Sequence, residues 1–222
     1  MSYELVGLGK LLVAMYADKA QRVSLLRRDI RSELKKANGS STTKGGDFYG
    51  PFWADAKRHV AGDLDLRLVT VARIASNDGR ERLYNMLRDG FLLWWEERRR
   101  LRNVPFRVIE DNVRARYTVP HIGVVKVDNT MSITVGDDGH RILYPYFCED
   151  PALSDEAARL GLWVMSQCIR GYALEDMRLL DVIKGRSFSV LDTPLVGDEE
   201  LIFLSRYEQL LDEWRVLRAE YD

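Results

Sequence analysis

Apolar residues recur at three- and four-residue steps through the first hundred positions, then switch to short alternating runs. Over residues 3–36, Leu5, Leu8, Leu11, Leu12 and Met15 keep the helical step, and a second helical stretch passes through Val23, Leu25, Leu26, Ile30 and Leu34. Lys35–Lys36 and then Asn38–Gly39 form a stop signal for it. The Ser/Thr/Gly-rich segment 39–51 reads as a mobile loop, and as a place for a flap or a partner contact. Pro51 opens a further helix that Gly62 closes. The run LRLVTVARIA within residues 63–77 satisfies both periods in part, and we read it as helix. Across 79–102, Leu83, Met86, Leu87, Phe91, Leu92 and Trp95 fall on one side of a helix.

The period changes near residue 104. VPFRVIEDNVRARYTVP holds two short strand-like runs, HIGVVKVDN a third and TMSITV a fourth. Asp138–Gly139 in GDDGH is a hairpin turn, and RILYPYF is the returning strand, with Pro145 marking a strand end or an edge. Ser154 then caps a helix whose first turn carries Asp155 and Glu156. Two strands joined by Lys184–Gly185 follow, and a last helix with a stripe of Leu204, Tyr207, Leu211, Trp214 and Leu217. This order predicts an α+β fold: an N-terminal helical region over 1–103, then a mixed β-sheet core with flanking helices over 104–222.

Composition narrows the class. Of the 222 residues, 46% are hydrophobic and 30% charged, as in a globular chain with a sizeable core. No apolar run approaches the roughly 18 residues of a membrane span, and the N-terminal stretch lacks the basic start of a signal peptide. A cytoplasmic protein with no membrane association is expected. The net charge is −1, yet residues 1–105 carry 20 Lys+Arg against 13 Asp+Glu, and residues 106–222 carry 13 against 21. Such asymmetry points to a basic surface on the first half, or to two parts that face each other.

Cys148 and Cys168 form no CxxC, and His59, His121 and His140 lie far apart, so no zinc site of the usual spacing and no catalytic Cys/His pairing is expected. The chain has no P-loop motif and no GxSxG. Val6–Gly7–Leu8–Gly9–Lys10 contains GxG, but it lacks the third glycine, and the helical reading of 3–36 leaves no strand before it. No cofactor, no metal and no catalytic set is expected from motifs. The candidate contact residues are Trp94, Arg98, Arg99, Arg100 and Arg102, because arginines beside aromatic rings grip phosphate and stack on bases. The same residues also read as a solvated helix end, with cations complementing the dipole and pairing with Glu96 and Glu97 while Trp94 and Trp95 lie in the core, or as anchors of a protein interface.

One resemblance carries further. The segment 121–192 runs GVVKVDN, TMSITVGDDGHRILYPYF, ALSDEAARLGLWVMSQCI and RLLDVIKGRSFSVLD. Its order of strand, Asp, strand, hairpin, strand, helix and strand pair resembles the core of the PD-(D/E)XK nuclease superfamily, its RecB-like branch above all. In that family an Asp and a later Glu-x-Lys hold magnesium and activate water. Asp128 falls at the family's Asp, and Tyr144–Pro145–Tyr146 stands where Glu-x-Lys belongs. Asp128 reads first of all as an ordinary turn residue before Asn129, ahead of a metal ligand. The resemblance covers about a third of the chain and implies a degenerate nuclease fold without a nuclease site. It implies a non-enzymatic interaction or regulatory protein of a nucleic-acid-processing or anti-phage defence system, with a protein partner. The alternatives are a nucleic-acid-binding module using the basic first half, and a divergent metal-dependent nuclease built from Glu110, Asp111 and Asp128.

Overall fold

The structure, a computed structural model, describes residues 3–39, 48–76, 78–100, 106–109, 113–136 and 139–221. In chain order these form β1 (Leu5–Gly7), α1 (Leu8–Tyr16), α2 (Lys19–Ala37), α3 (Tyr49–Ala61), α4 (Leu66–Ala75) and α5 (Glu81–Arg100). There follow β2 (Phe106–Ile109), β3 (Ala115–Val119), β4 (Gly123–Val127), β5 (Met131–Val135), β6 (Gly139–Tyr146), α6 (Asp155–Cys168), β7 (Met177–Asp181), β8 (Arg186–Phe188) and α7 (Glu199–Ala219). The fold is mixed α+β with flanking helices, as the switch of period predicts.

The opening of the chain departs from the helical reading. Leu5–Gly7 is a strand, parallel to β4 with Val6 opposite Val125. Three residues are too few to show an alternating period, and the pairing that makes them a strand lies about 120 positions downstream. Helical backbone then breaks at Ala17, which is extended. Asp18 starts α2 with a capping box, its carboxylate accepting the Gln21 N–H at 2.8 Å. The helix α3 begins at Tyr49, inside the segment expected to be a loop; Pro51 sits in its first turn, where a missing N–H costs nothing. Residues 40–47 of that loop lie outside the described residues. Gly62, at φ 87°, ends α3 as expected. The ambiguous run 66–75 is the helix α4, started by Asp65, whose side chain accepts the Arg67 N–H.

Two sheets form. One has the order β1-β4-β3, the other β2-β5-β6-β7-β8. In the second, β2, β5 and β6 are antiparallel neighbours, α6 crosses over, and β7 returns parallel to β6. Pro145 belongs to β6 and pairs with Leu180 of β7 on one side. The β5 pairing ends at Met131↔Leu143, so Pro145 leaves no ladder hydrogen bond unmade there, which is the edge-like setting its missing N–H requires.

Two hydrophobic clusters hold these layers, and each draws residues from both sides of position 103. The first joins Leu8, Leu11 and Leu12 of α1 and Leu26 and Ile30 of α2 to Val125, Leu162, Phe203 and Tyr207. The second joins Phe52, Trp53, Phe91 and Trp95 to Met131, Leu143 and Leu180 under the larger sheet. No helix among the described residues is long and apolar enough to cross a membrane.

Candidate functional site

A cleft of about 940 Å³ opens where five segments meet: the first turn of α1, the middle of α2, one face of α3, and the ends of β4 and β6. Its volume lies within the range of ligand pockets. Lys10, Arg28, Lys57 and Arg58 reach it, with Asp29 and Asp128. Tyr3, Tyr49, Trp53, Tyr144 and Phe147 supply aromatic wall.

Each wall is fixed by local contacts. Asp128 precedes Asn129, a left-handed residue at φ 59° that turns the chain from β4 into β5; the Asn129 carbonyl accepts the Trp53 indole N–H. This bond ties α3 to the mouth of the sheet. Tyr144 is buried, and its hydroxyl accepts the Gly9 N–H at 2.8 Å, so an otherwise unpaired donor of the first turn of α1 is met by β6. Burial, and next the charge of Asp128, push the Tyr144 hydroxyl above its ordinary range, which keeps it neutral. Lys10 pairs with Asp29 at 2.7 Å, and Asp29 also accepts the Tyr3 hydroxyl at 2.9 Å. Tyr49 stacks on Phe147 with centroids 5.0 Å apart.

Lys57 is the electrostatic centre of this wall. Partial burial, and then the Arg114 guanidinium, lower its pKa from 10.5 to about 8. The unfolded chain therefore binds more protons between about 8 and 10.5, and stability contributed by this group rises with pH across that window. The penalty is fully present below pH 8 and gone above 10.5. After reductive ¹³C-methylation, the Lys57 resonance is expected to titrate near 8, against about 10.4 for solvated lysines. A midpoint with the solvated set would remove the electrostatic account of the cleft.

The structure places the sequence candidates as follows. Trp94 is 5% exposed and packs between Phe91 and Trp95 in the second cluster, so burial of the ring corrects its expected role as a surface contact. Arg98, Arg99 and Arg100 form the end of α5; their side chains, and all of Arg102, lie outside the described residues. Glu110 and Asp111 lie outside them as well. Asp128 does reach a cleft, and Tyr144 and Tyr146 line the same cleft. Among the described residues no group of three His, Cys, Asp or Glu side chains is placed to hold a metal ion.

His59 is structural, its Nδ1 lying 3.1 Å from the Leu64 carbonyl and 3.3 Å from the Leu66 nitrogen across the α3–α4 junction. His140 stacks edge-on against Tyr172. Both cysteines are free, and burial raises both thiols.

Sequence reasoning missed Lys10, Arg28, Lys57 and Arg58 as a group. The one local signal was the GxG of Gly7–Leu8–Gly9–Lys10. It does follow a strand and open a helix, but the third glycine of the dinucleotide pattern is absent and α1 leads into α2 instead of a second strand. No protein-family model matches the chain, and a search of curated proteins finds no significant relative.

Proposed function

We propose that this protein binds nucleic acid without cutting it, through the cleft between α1, α3 and β6, and acts as a binding or regulatory component of nucleic-acid processing. The observation that carries the reading is the convergence of Lys10, Arg28, Lys57 and Arg58 in one cleft with the exposed ring of Tyr49, which Phe147 backs. Cations meet phosphates and ring faces meet bases, which is how single strands are held with little sequence preference. The run β5, β6, α6, β7, with β6 and β7 parallel across the helix, supports a core of the nuclease-like kind; the strand that leads to Asp128, β4, pairs in the smaller sheet and does not add to that support. The tyrosines of β6 in place of Glu-x-Lys support binding over hydrolysis, since a neutral tyrosine is no substitute for a hard carboxylate on Mg²⁺.

The test is fluorescence anisotropy of a labelled oligonucleotide with the full chain, beside incubation with Mg²⁺ or Mn²⁺ and product analysis on a gel. Binding that weakens steeply with salt, with the strand left intact, is the expected result. Divalent-dependent cleavage abolished by Asp128→Ala would establish a nuclease instead. Exposed Leu68 and Val71 on one face of α4, 71% and 61% accessible, favour a second reading in which a protein partner docks on that helix. Recovery of a partner that survives nuclease treatment and is lost in Leu68→Glu would favour it.

A further inference from the structure

A second cleft of about 600 Å³ lies on the other side of the end of α3, and Lys57 and Arg58 line both. The second is completed by the turn at Gly62–Asp63, by Trp95 of α5, by Phe106 and Arg107 of β2, and by Ser132 of β5. Its chemistry repeats that of the first. Phe106 is 37% exposed and stands edge-on to Trp95 with centroids 5.0 Å apart, as Tyr49, 39% exposed, rests on Phe147. Arg107 is exposed beside it on the edge strand of the larger sheet. The hydroxyl of Ser132, a residue only 2% exposed, has no hydrogen-bond partner among the described residues, so the lining holds a polar group that the protein leaves unmet.

We propose that the two clefts form one path for a single nucleic-acid strand, which crosses the end of α3 with Lys57 and Arg58 on its phosphates and lays one base against Tyr49 and another against Phe106. The inference rests on the nucleic-acid reading of the first cleft and adds the second cleft and the direction of travel. From Tyr49 to Arg58 the helix advances about 14 Å at 1.5 Å per residue, a span that several nucleotides are needed to cover. A mononucleotide fills one cleft; only a strand uses the cations shared by both. The exposed rings at the two ends fit unpaired bases, whose faces are open for stacking, and a duplex hides those faces.

Strand length is the test. Fluorescein-labelled oligothymidylates of about three and about ten nucleotides are titrated with the full chain, with wild type and with the double variant Phe106→Ala/Arg107→Ala. Both residues lie on an edge strand and are exposed, so folding is expected to hold, and circular dichroism checks it. The longer strand is expected to bind about tenfold tighter than the shorter, and the double variant to erase that difference. Its salt slope for the long strand is expected to fall by about 0.7, one phosphate contact on a single strand. Equal affinity for both lengths, an unchanged long-strand affinity in the variant, or equal competition by a duplex of the same sequence overturns the path and leaves the first cleft's role standing. Failure of wild type to bind either length overturns the nucleic-acid reading itself, and the path with it.

Discussion

Replacing Lys57 and Arg58 together by alanine is expected to weaken binding of a ten-nucleotide strand about a hundredfold, the loss of two charge-assisted phosphate contacts at about 1.5 kcal/mol each. The salt slope is expected to fall by about 1.4, since each contact to a single strand contributes about 0.7. Circular dichroism and a melting curve check that the double variant is folded. Lys57 also gives the affinity a pH signature. With a pKa of about 8, Lys57 goes from mostly charged at pH 7 to mostly neutral at pH 9, so wild-type affinity falls across that interval. Lys57→Arg keeps its charge throughout and is expected to bind equally at both values. Anisotropy titrations at two pH values and several salt concentrations read all of this. A double variant that binds like wild type, with an unchanged slope, would move the strand off α3.

Gly90→Ala is expected to cost about 3 kcal/mol of stability and to lower the melting temperature by roughly 10 °C. A Cβ at Gly90 would stand 2.2 Å from the Val182 carbonyl oxygen and 2.3 Å from that of Ile183. Both obstacles are backbone, which has no rotamer to retreat into. The facing residue, Gly185, has φ 64° and could carry no Cβ either, since one would meet the Gly90 carbonyl at 2.6 Å. Here α5 lies directly on the turn between β7 and β8. The displacement would not stay local. Phe91, the next residue, packs edge-on against Phe52 and Trp53 of α3 at 6.4 and 5.9 Å, and Trp53 is the residue bonded to Asn129 at the cleft. Weakened strand binding is therefore expected alongside the lower melting temperature. A thermal unfolding curve indistinguishable from wild type would show that α5 does not press on this turn.

How much could be read from the chain follows from how far apart the determining residues lie. Ser154 caps α6 through its own hydroxyl and the Ala157 N–H, three positions away, and Gly62 ends α3 by its own left-handed backbone. Those signals sit in one window of sequence, as do the strands of β5 and β6 and the turn at Lys184–Gly185. The strand β1 is set by Val124–Lys126, and nothing in Leu5–Val6–Gly7 itself distinguishes it from the start of a helix. The cleft is harder still. Lys10, Arg28, Lys57 and Asp128 come from four elements, and each is individually an ordinary surface residue. Asp128 was legible because a strand and a turn flank it; the cations were not, because only the tertiary fold brings them together. Trp94 was misplaced for the opposite reason: α5 buries rings on a face wider than the stripe of Leu87, Phe91 and Trp95 suggested, so a ring beside arginines was taken for a surface one.

The first hydrophobic cluster has a consequence in time. Leu8, Leu11 and Leu12 are covered in part by Phe203 and Tyr207, and the Tyr207 hydroxyl donates to the carbonyl of Tyr3, a separation of 204 positions. A ribosome adding about 5–20 residues per second needs on the order of 10–40 s to bridge that distance. For that interval Leu8, Leu11 and Leu12 lack the cover that Phe203 and Tyr207 give them, so this cluster is completed only once α7 is made.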